Sequence, residues 1–299
     1  MAVSALKVSD TRQRSSWAFE AGTPVDEGRH AIRLLGGGER YEAWLGWDEH
    51  LSSPVVLKLL RPDQVDSIRA RAAIAREAAT LGAVAHPGIV RSFGSELEGE
   101  RPYLVLEFLD APRLSTLIRR FGPLTEEQLV PLALEIGSAL AYLHAEGWVH
   151  LDVKPQNLIM GAPPRLIDLS IARRQDDVGG LSGPMGTDAY MAPEQSVAGP
   201  LSGVGPWSDV WGLGATLYES AAGVRPFPRR EPEGPYPQLT EAPDDLHPRT
   251  PKVLREAISA CLRRDPASRP PLDELLDLFG ALAPGAREVA VRRLRRRSR

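Results

Sequence analysis

The chain has 299 residues, 42% of them hydrophobic and 25% charged, with a formal net charge of -3. Those totals argue against a disordered, fibrous or dedicated nucleic-acid-binding protein and leave room for one large core or two small ones. A single cysteine, Cys261, excludes an intramolecular disulfide, and no run of about 20 apolar residues is present to span a bilayer, so the sequence points to a cytoplasmic protein. The N-terminal stretch to Trp17 has no long apolar core and does not read as a secretory signal.

Residues 1–27 are polar and irregular and read as an N-terminal extension. Ala31–Leu35, Glu42–Trp47 and Val55–Leu60 follow as short apolar or alternating runs broken by Gly and Pro, the pattern of strands in one small sheet. Apolar positions at Ile68, Ala72, Ala75 and Ala79 predict a helix over Ile68–Leu81, and Arg101–Leu109 is again strand-like. From Leu124 the period changes. Thr125 and Gln128 form a candidate capping box, and Leu129, Leu132, Ala133, Ile136, Leu140 and Leu143 keep helical spacing. Short apolar stretches at His150–Ile159 and Leu166–Ile171 precede a Gly-rich loop, and helical patterns return at Ser208–Ala222, Val253–Leu262 and Leu272–Leu282. Residues 226–251 contain eight prolines and read as an ordered or semi-ordered loop. A basic tail, residues 284–299, closes the chain.

Gly36, Gly37 and Gly38 lie between two strand-like runs, where backbone amides without Cβ interference can approach phosphate oxygens; taken alone, the triplet is equally a tight hairpin turn. Lys58 sits in the apolar run Val55–Leu60, where an unpaired ammonium costs several kcal/mol, about what a buried unpaired charge costs, so it needs an anion. Glu77 of the following helix is a candidate partner, or else an ordinary solvated charge. This arginine-rich chain keeps only four lysines and one asparagine. Lys154 and the sole asparagine, Asn157, fall within five residues of Asp152, in His150-Leu151-Asp152-Val153-Lys154-Pro155-Gln156-Asn157, with Asp168 eleven residues on. Phosphoryl transfer needs a carboxylate to orient a hydroxyl, a cation near the moving phosphate and hard oxygen ligands for Mg²⁺, and Asp152, Lys154, Asn157 and Asp168 supply that set.

These motifs, spread from Gly36 to Arg269, make the sequence resemble the bacterial eukaryotic-like (Hanks-type) serine/threonine protein kinases. The resemblance implies a two-lobed α+β fold within residues 28–283, with a small β-rich lobe from about 28 to 108 and a mainly helical lobe from about 112 to 283. It implies ATP and Mg²⁺ (or Mn²⁺) as cofactors and a protein hydroxyl as acceptor. By the same resemblance Asp152 is the catalytic base with Lys154 beside it, and Asn157 and Asp168 are the metal ligands. The nucleotide site implied comprises Gly36, Gly37, Gly38, Ala43, Val56, Lys58, Glu77, Leu106 as gatekeeper, Glu107, Leu109 and Ile159. Gly186-Thr187 through Ala192-Pro193-Glu194 resembles the substrate-facing loop, with Glu194 expected to pair with Arg269 and Asp209 expected to hold the catalytic loop. Lys154 favours Ser/Thr over Tyr specificity.

The sequence also departs from the family's pattern. Tyr41 stands at the third loop glycine, Ala43 and Val56 exchange the usual valine and alanine, Leu151 replaces an arginine that receives loop phosphate in many members, and Ser170 replaces glycine. Two rival readings follow: a kinase-like scaffold without catalysis, and a small-molecule phosphotransferase, against which Lys154, Ala192-Pro193-Glu194 and Asp209 count. A regulatory partner protein is left open, and the tail is read as a solvated terminus, with contact to anionic surfaces as the alternative.

Overall fold

The computed structural model describes residues 15–180, 182–197, 203–228, 230–231 and 234–283. The basic tail and residues 1–14 of the expected extension lie outside the described residues. The chain divides into two compact units, one built from the chain up to Ala78 together with Ser92–Phe108, the other from Ala79–Arg91 and everything from Leu109 on. Among the described residues no helix is long and apolar enough to cross a membrane.

The first unit is a six-stranded antiparallel sheet. In chain order the strands are β1 (Pro24–Asp26), β2 (Arg29–Gly37), β3 (Tyr41–Asp48), β4 (Ser53–Leu60), β5 (Ser92–Glu96) and β6 (Tyr103–Glu107), and in space they run β1-β2-β3-β4-β6-β5. Helix α1 (Ile68–Ala83) follows β4. Period-two alternation sorts the side chains: Ala31, Trp44, Val55, Leu57, Leu59, Tyr103 and Val105 form the core on one face. The cross-strand pairs Ala43↔Lys58, Leu45↔Val56, Val56↔Leu106 and Lys58↔Leu104 place those residues on the other. A one-residue slip of β4 would carry Val55, Leu57 and Leu59, each fully buried, out of this core and turn Lys58 into it, so the register is fixed.

Of residues 15–27, which the sequence reads as irregular, only Pro24–Asp26 form a strand of this sheet. Trp17 and Phe19 pack on the Val55–Leu57–Leu59 face, and β1 pairs with β2. Two aromatics and a three-residue strand are too few to show a period. Strand β5 escapes sequence reading for a related reason: four of its five residues are exposed and carry no alternation.

The second unit is mainly helical: α2 (Leu114–Phe121), α3 (Glu126–Ala145), α4 (Pro206–Ala222), α5 (Lys252–Cys261) and α6 (Leu272–Leu282). Helix α3 packs on α4 and α6, and α4 on α5. At the start of α3 the Gln128 side chain accepts the Thr125 N–H at 3.1 Å, the reach-back half of the expected capping box. Helix α4 starts two residues before Ser208, with Pro206 at its first turn, where its missing N–H costs nothing, and ends at Gly223 in the left-handed conformation at φ 76°. Among the described residues of the Pro-rich stretch 226–251, Pro237–Leu239 form a 3-10 turn. From that turn the buried Gln238 donates to Asp188 O at 2.9 Å and Met191 O at 3.0 Å. Short strands β7 (Trp148–Val149) and β10 (Arg173–Arg174) pair with each other, as do β8 (Leu158–Ile159) and β9 (Arg165–Leu166).

Candidate active site

In the first unit the β2–β3 hairpin closes through Gly38, whose N–H donates to Tyr41 O at 3.0 Å. The three glycines have different reasons to be glycine. Gly36 takes φ 151°, a Cβ at Gly37 would lie 2.6 Å from Tyr41 O, and Gly38 has nothing within 4 Å of that position. Gly37→Ala is therefore expected to destabilise the protein by about 1–3 kcal/mol, the cost of overpacking against backbone, whereas Gly38→Ala leaves stability unchanged; urea unfolding of both variants checks it.

Lys58 leaves β4 on the same face as Ala43, Val56 and Leu106. Its ammonium donates to both carboxylate oxygens of Glu77 on α1, each at 2.7 Å, and Glu77 is fully buried. The Tyr41 ring, two residues before Ala43 on the same face, lies with its centre 4.7 Å from Lys58 Nζ. Glu107 pairs with Val55 in the register and is partly exposed. All the expected residues from Gly36 to Glu107 thus fall on one sheet and its helix. Leu109 and Ile159 belong to the second unit, Leu109 at its opening and Ile159 in β8.

In the second unit the loop after β7 carries a closed polar network. Lys154 Nζ donates to Asp152 Oδ2 and to Thr187 Oγ1, both at 2.5 Å, while Thr187 Oγ1 donates to Asp152 Oδ1 at 2.7 Å. The Asn157 amide donates to Asp152 O at 3.0 Å and to Oδ2 at 3.1 Å. Asp209 of α4 holds the loop from below: its Oδ2 accepts the His150 N–H at 2.8 Å and its Oδ1 the Leu151 N–H at 2.7 Å, with His144 Nε2 on Oδ2 at 2.8 Å. Between those amides and Asp152, Leu151 is held at φ 67°, a conformation L residues rarely adopt and keep only where the surroundings impose it. His150 is fully buried and accepts the Asp152 N–H on Nδ1 at 3.2 Å. Burial pushes its pKa below the usual imidazole value, against the pull of Asp209, so it packs as a neutral ring.

Asp168 follows Ile167, whose N–H donates to Asn157 O at 2.8 Å, which brings the segments of Asn157 and Asp168 side by side. Because Asn157 turns its nitrogen toward Asp152, its carbonyl oxygen points the other way. An amide oxygen and a carboxylate are hard donors suited to Mg²⁺, which usually keeps several waters and takes phosphate oxygens for the rest. Among the described residues no group of three or more His, Cys, Asp or Glu could hold a metal by itself. Leu169 is 1% exposed and packs as an apolar residue.

The loop from Met185 to Ser196 is fixed by buried polar contacts. Gln195 Nε2 donates to Leu151 O at 2.9 Å and to Met185 O at 2.8 Å. Glu194 and Arg269 form a two-bonded ion pair at 2.6 and 2.8 Å, and the Ser208 hydroxyl donates to Glu194 at 2.8 Å. Arg269 also donates to Trp207 O, Arg263 O and Arg264 O, so all five of its N–H groups are used. Sequence reading misses Thr187 and Gln195 as members of these networks. Thr187 is legible only as a hydroxyl in the loop; nothing in spacing ties it to Asp152, 35 residues away.

Comparison with known proteins adds an independent line. Residues 29–278 match the family model described as protein kinase domain. The chain is 34% identical over 267 residues to the probable serine/threonine-protein kinase PkwA of Thermomonospora curvata, covering 85% of this chain and 34% of that protein. It is 32% identical over 262 residues to the serine/threonine-protein kinase PknA of Mycobacterium tuberculosis, covering 81% and 58%. With the serine/threonine-protein kinase PkaA of Streptomyces coelicolor it shares 33% identity over 238 residues, covering 77% and 43%. The chain thus spans between about a third and three fifths of the length of these relatives.

Proposed function

The chain belongs to the protein kinase family, and from that premise we propose that it is an active serine/threonine kinase that transfers the γ-phosphoryl group of ATP to a protein hydroxyl. The observation that carries this reading is the closed network around Asp152, in which Lys154, Thr187 and Asn157 all donate to one aspartate.

In the proposed mechanism Asp152 orients the acceptor hydroxyl and takes its proton as the oxygen attacks the γ-phosphorus and the bond to the bridging oxygen breaks, releasing ADP. Lys154 neutralises charge on the transferred group, and Thr187 keeps the carboxylate and ammonium in register. Lys58, steadied by Glu77, holds the α- and β-phosphates, with the glycine turn 36–38 offering backbone N–H groups. In the first unit Ala43, Val56 and Leu106, with Glu107 beside them, offer an apolar face for adenine, and in the second unit Leu109 and Ile159 are the expected adenine contacts. Asn157 and Asp168 would hold Mg²⁺, which when bound would neutralise charge on the phosphate oxygens. Positioning and electrostatics do most of the catalysis in such a site.

The test is transfer of labelled γ-phosphate to a generic protein substrate such as casein, by the native chain and by Lys58→Met. Incorporation by the native chain that is lost in the variant is the expected result. Nucleotide binding without incorporation by the native chain would overturn the reading in favour of the scaffold.

Activity is also expected to be independent of loop phosphorylation. Leu151 is apolar and buried where a cation would otherwise receive the phosphate, and the Thr187 hydroxyl is already engaged. Phosphatase-treated and untreated enzyme are therefore expected to match within a factor of about two, because Leu151 offers no charge and Lys154, the cation on Thr187, is already engaged by Asp152.

A further inference from the structure

The glycine turn is held by a residue that none of the phosphate-site motifs contains. Arg61, the first residue after β4, is 9% exposed. Its Nε donates to Gly38 O at 2.8 Å and its Nη1 to Glu42 Oε1 at 2.9 Å. Gly38 and Glu42 flank the tip of the hairpin, so one rigid guanidinium grips both sides of it. Its backbone N–H closes the grip on Arg40 O at 2.9 Å, and its Nη2 lies 2.9 Å from where a Gly37 Cβ would stand. Tyr41, whose ring covers Lys58, lies inside the gripped segment.

The same guanidinium reaches the N-terminal segment, because Nη1 also donates to Ser15 O at 2.7 Å. Glu42, fully buried, accepts the Trp17 N–H at 3.3 Å and the Trp44 indole N–H at 3.0 Å on Oε2. The Trp17 indole donates to Leu60 O at 2.7 Å, one residue before Arg61. Arg101 lies over the rings of Trp17 and Phe19, at 5.3 and 5.4 Å from their centres. Residues 15–19 are therefore tied by two backbone contacts to the Arg61–Glu42 pair and by an indole to Leu60 beside it. Such a pair is stiff: removing one partner strands a buried charge, and lysine, whose three N–H groups fan from a single nitrogen, cannot reproduce the planar fork that reaches Gly38 O, Ser15 O and Glu42 together.

We propose that Arg61 is a positioning residue for the glycine turn, and that the segment Ser15–Phe19 acts through the Arg61–Glu42 pair to set the grip of that turn on the nucleotide. The proposal rests on the nucleotide-binding reading above. It makes residues 15–19 a strap whose release loosens phosphate binding without touching the groups around Asp152.

The test compares the native chain with Arg61→Lys, Trp17→Ala and Trp17→Phe. Hydrogen exchange of the amides from Gly36 to Glu42, steady-state kinetics in MgATP and melting curves are read for each. In Arg61→Lys and Trp17→Ala, exchange at the turn is expected to speed up and KM for ATP to rise about tenfold, the size of one charge-assisted hydrogen bond. The fall in kcat at saturating ATP is expected to stay below about twofold, and Trp17→Phe, which keeps the ring, to fall between native and Trp17→Ala. If Arg61→Lys does not fold, Trp17→Ala decides alone. Unchanged KM and unchanged exchange in a folded Trp17→Ala, or a loss of kcat without a rise in KM, would overturn the proposal. A native chain that binds no ATP takes down the nucleotide reading and the proposal with it, and the exchange data then separate that failure from a turn that residues 15–19 do not hold.

Discussion

Asp152→Asn is expected to lower kcat by about 10²- to 10⁴-fold, the usual worth of a positioned general base, while KM for ATP stays close to the native value. Asparagine is nearly isosteric and still offers one oxygen to Lys154 and Asn157, and its amide can meet the Thr187 oxygen, so the network survives in outline. What disappears is the negative charge and the site for the hydroxyl proton. Because the amides of His150 and Leu151 are held by Asp209 and not by Asp152, the loop keeps its shape and the melting temperature stays near native. Steady-state kinetics in both substrates, with a melting curve beside them, check the prediction. A kcat within tenfold of native would remove Asp152 from the role of base.

Arg269→Met is expected to destabilise the second unit by about 3–5 kcal/mol, the cost of breaking a buried ion pair from one side. Glu194 would remain 9% exposed with its charge unmatched, and the carbonyls of Trp207, Arg263 and Arg264 would each lose a donor. Whole domains are stable by only about 5–15 kcal/mol, so this one change brings the protein close to unfolding at growth temperature. The contrast is Lys252–Glu256, at 3.5 Å with both side chains mostly exposed, whose removal is expected to leave the urea midpoint where it is. Equal midpoints for Arg269→Met and the native chain would show that the buried pair does not hold the fold.

The strands and helices with a clean period are legible in the amino-acid sequence itself. Val55–Leu60 alternates because one face of β4 is core and the other carries Val56 and Lys58; Leu272–Leu282 shows helical spacing because it turns the stripe of Leu272, Leu275 and Phe279 inward, whereas Ser208–Ala222 is apolar along most of its length because it is buried nearly all round. Helix α2 is not legible: in its eight residues only Leu114 and Ile118 are buried, too short a stripe to stand out. Asp152, Lys154, Asn157 and Asp168 can be picked out because rare residue types fall at chemically meaningful spacings in one stretch of chain. Thr187, Gln195 and Arg61 cannot, because a threonine, a glutamine and one arginine among many carry no spacing signal; their roles come from partners between 10 and 46 residues away. The pairing of Glu194 with Arg269, 75 residues apart, is implied only through family resemblance and is not derivable from either residue.

Lysine scarcity and lysine burial together give the protein a built-in clock. Lys252 presents 77% of its side chain to water, whereas Lys58 presents 11% and Lys154 15%, each clasped by a carboxylate. An amine-directed acylating reagent therefore meets Lys252 at the rate of free encounter, but modifies Lys58 or Lys154 only in the moments when its ion pair lets go. Three peptides in one mass spectrum would then time the breathing of the sheet and of the Asp152 loop separately, with the exposed residue as the internal standard.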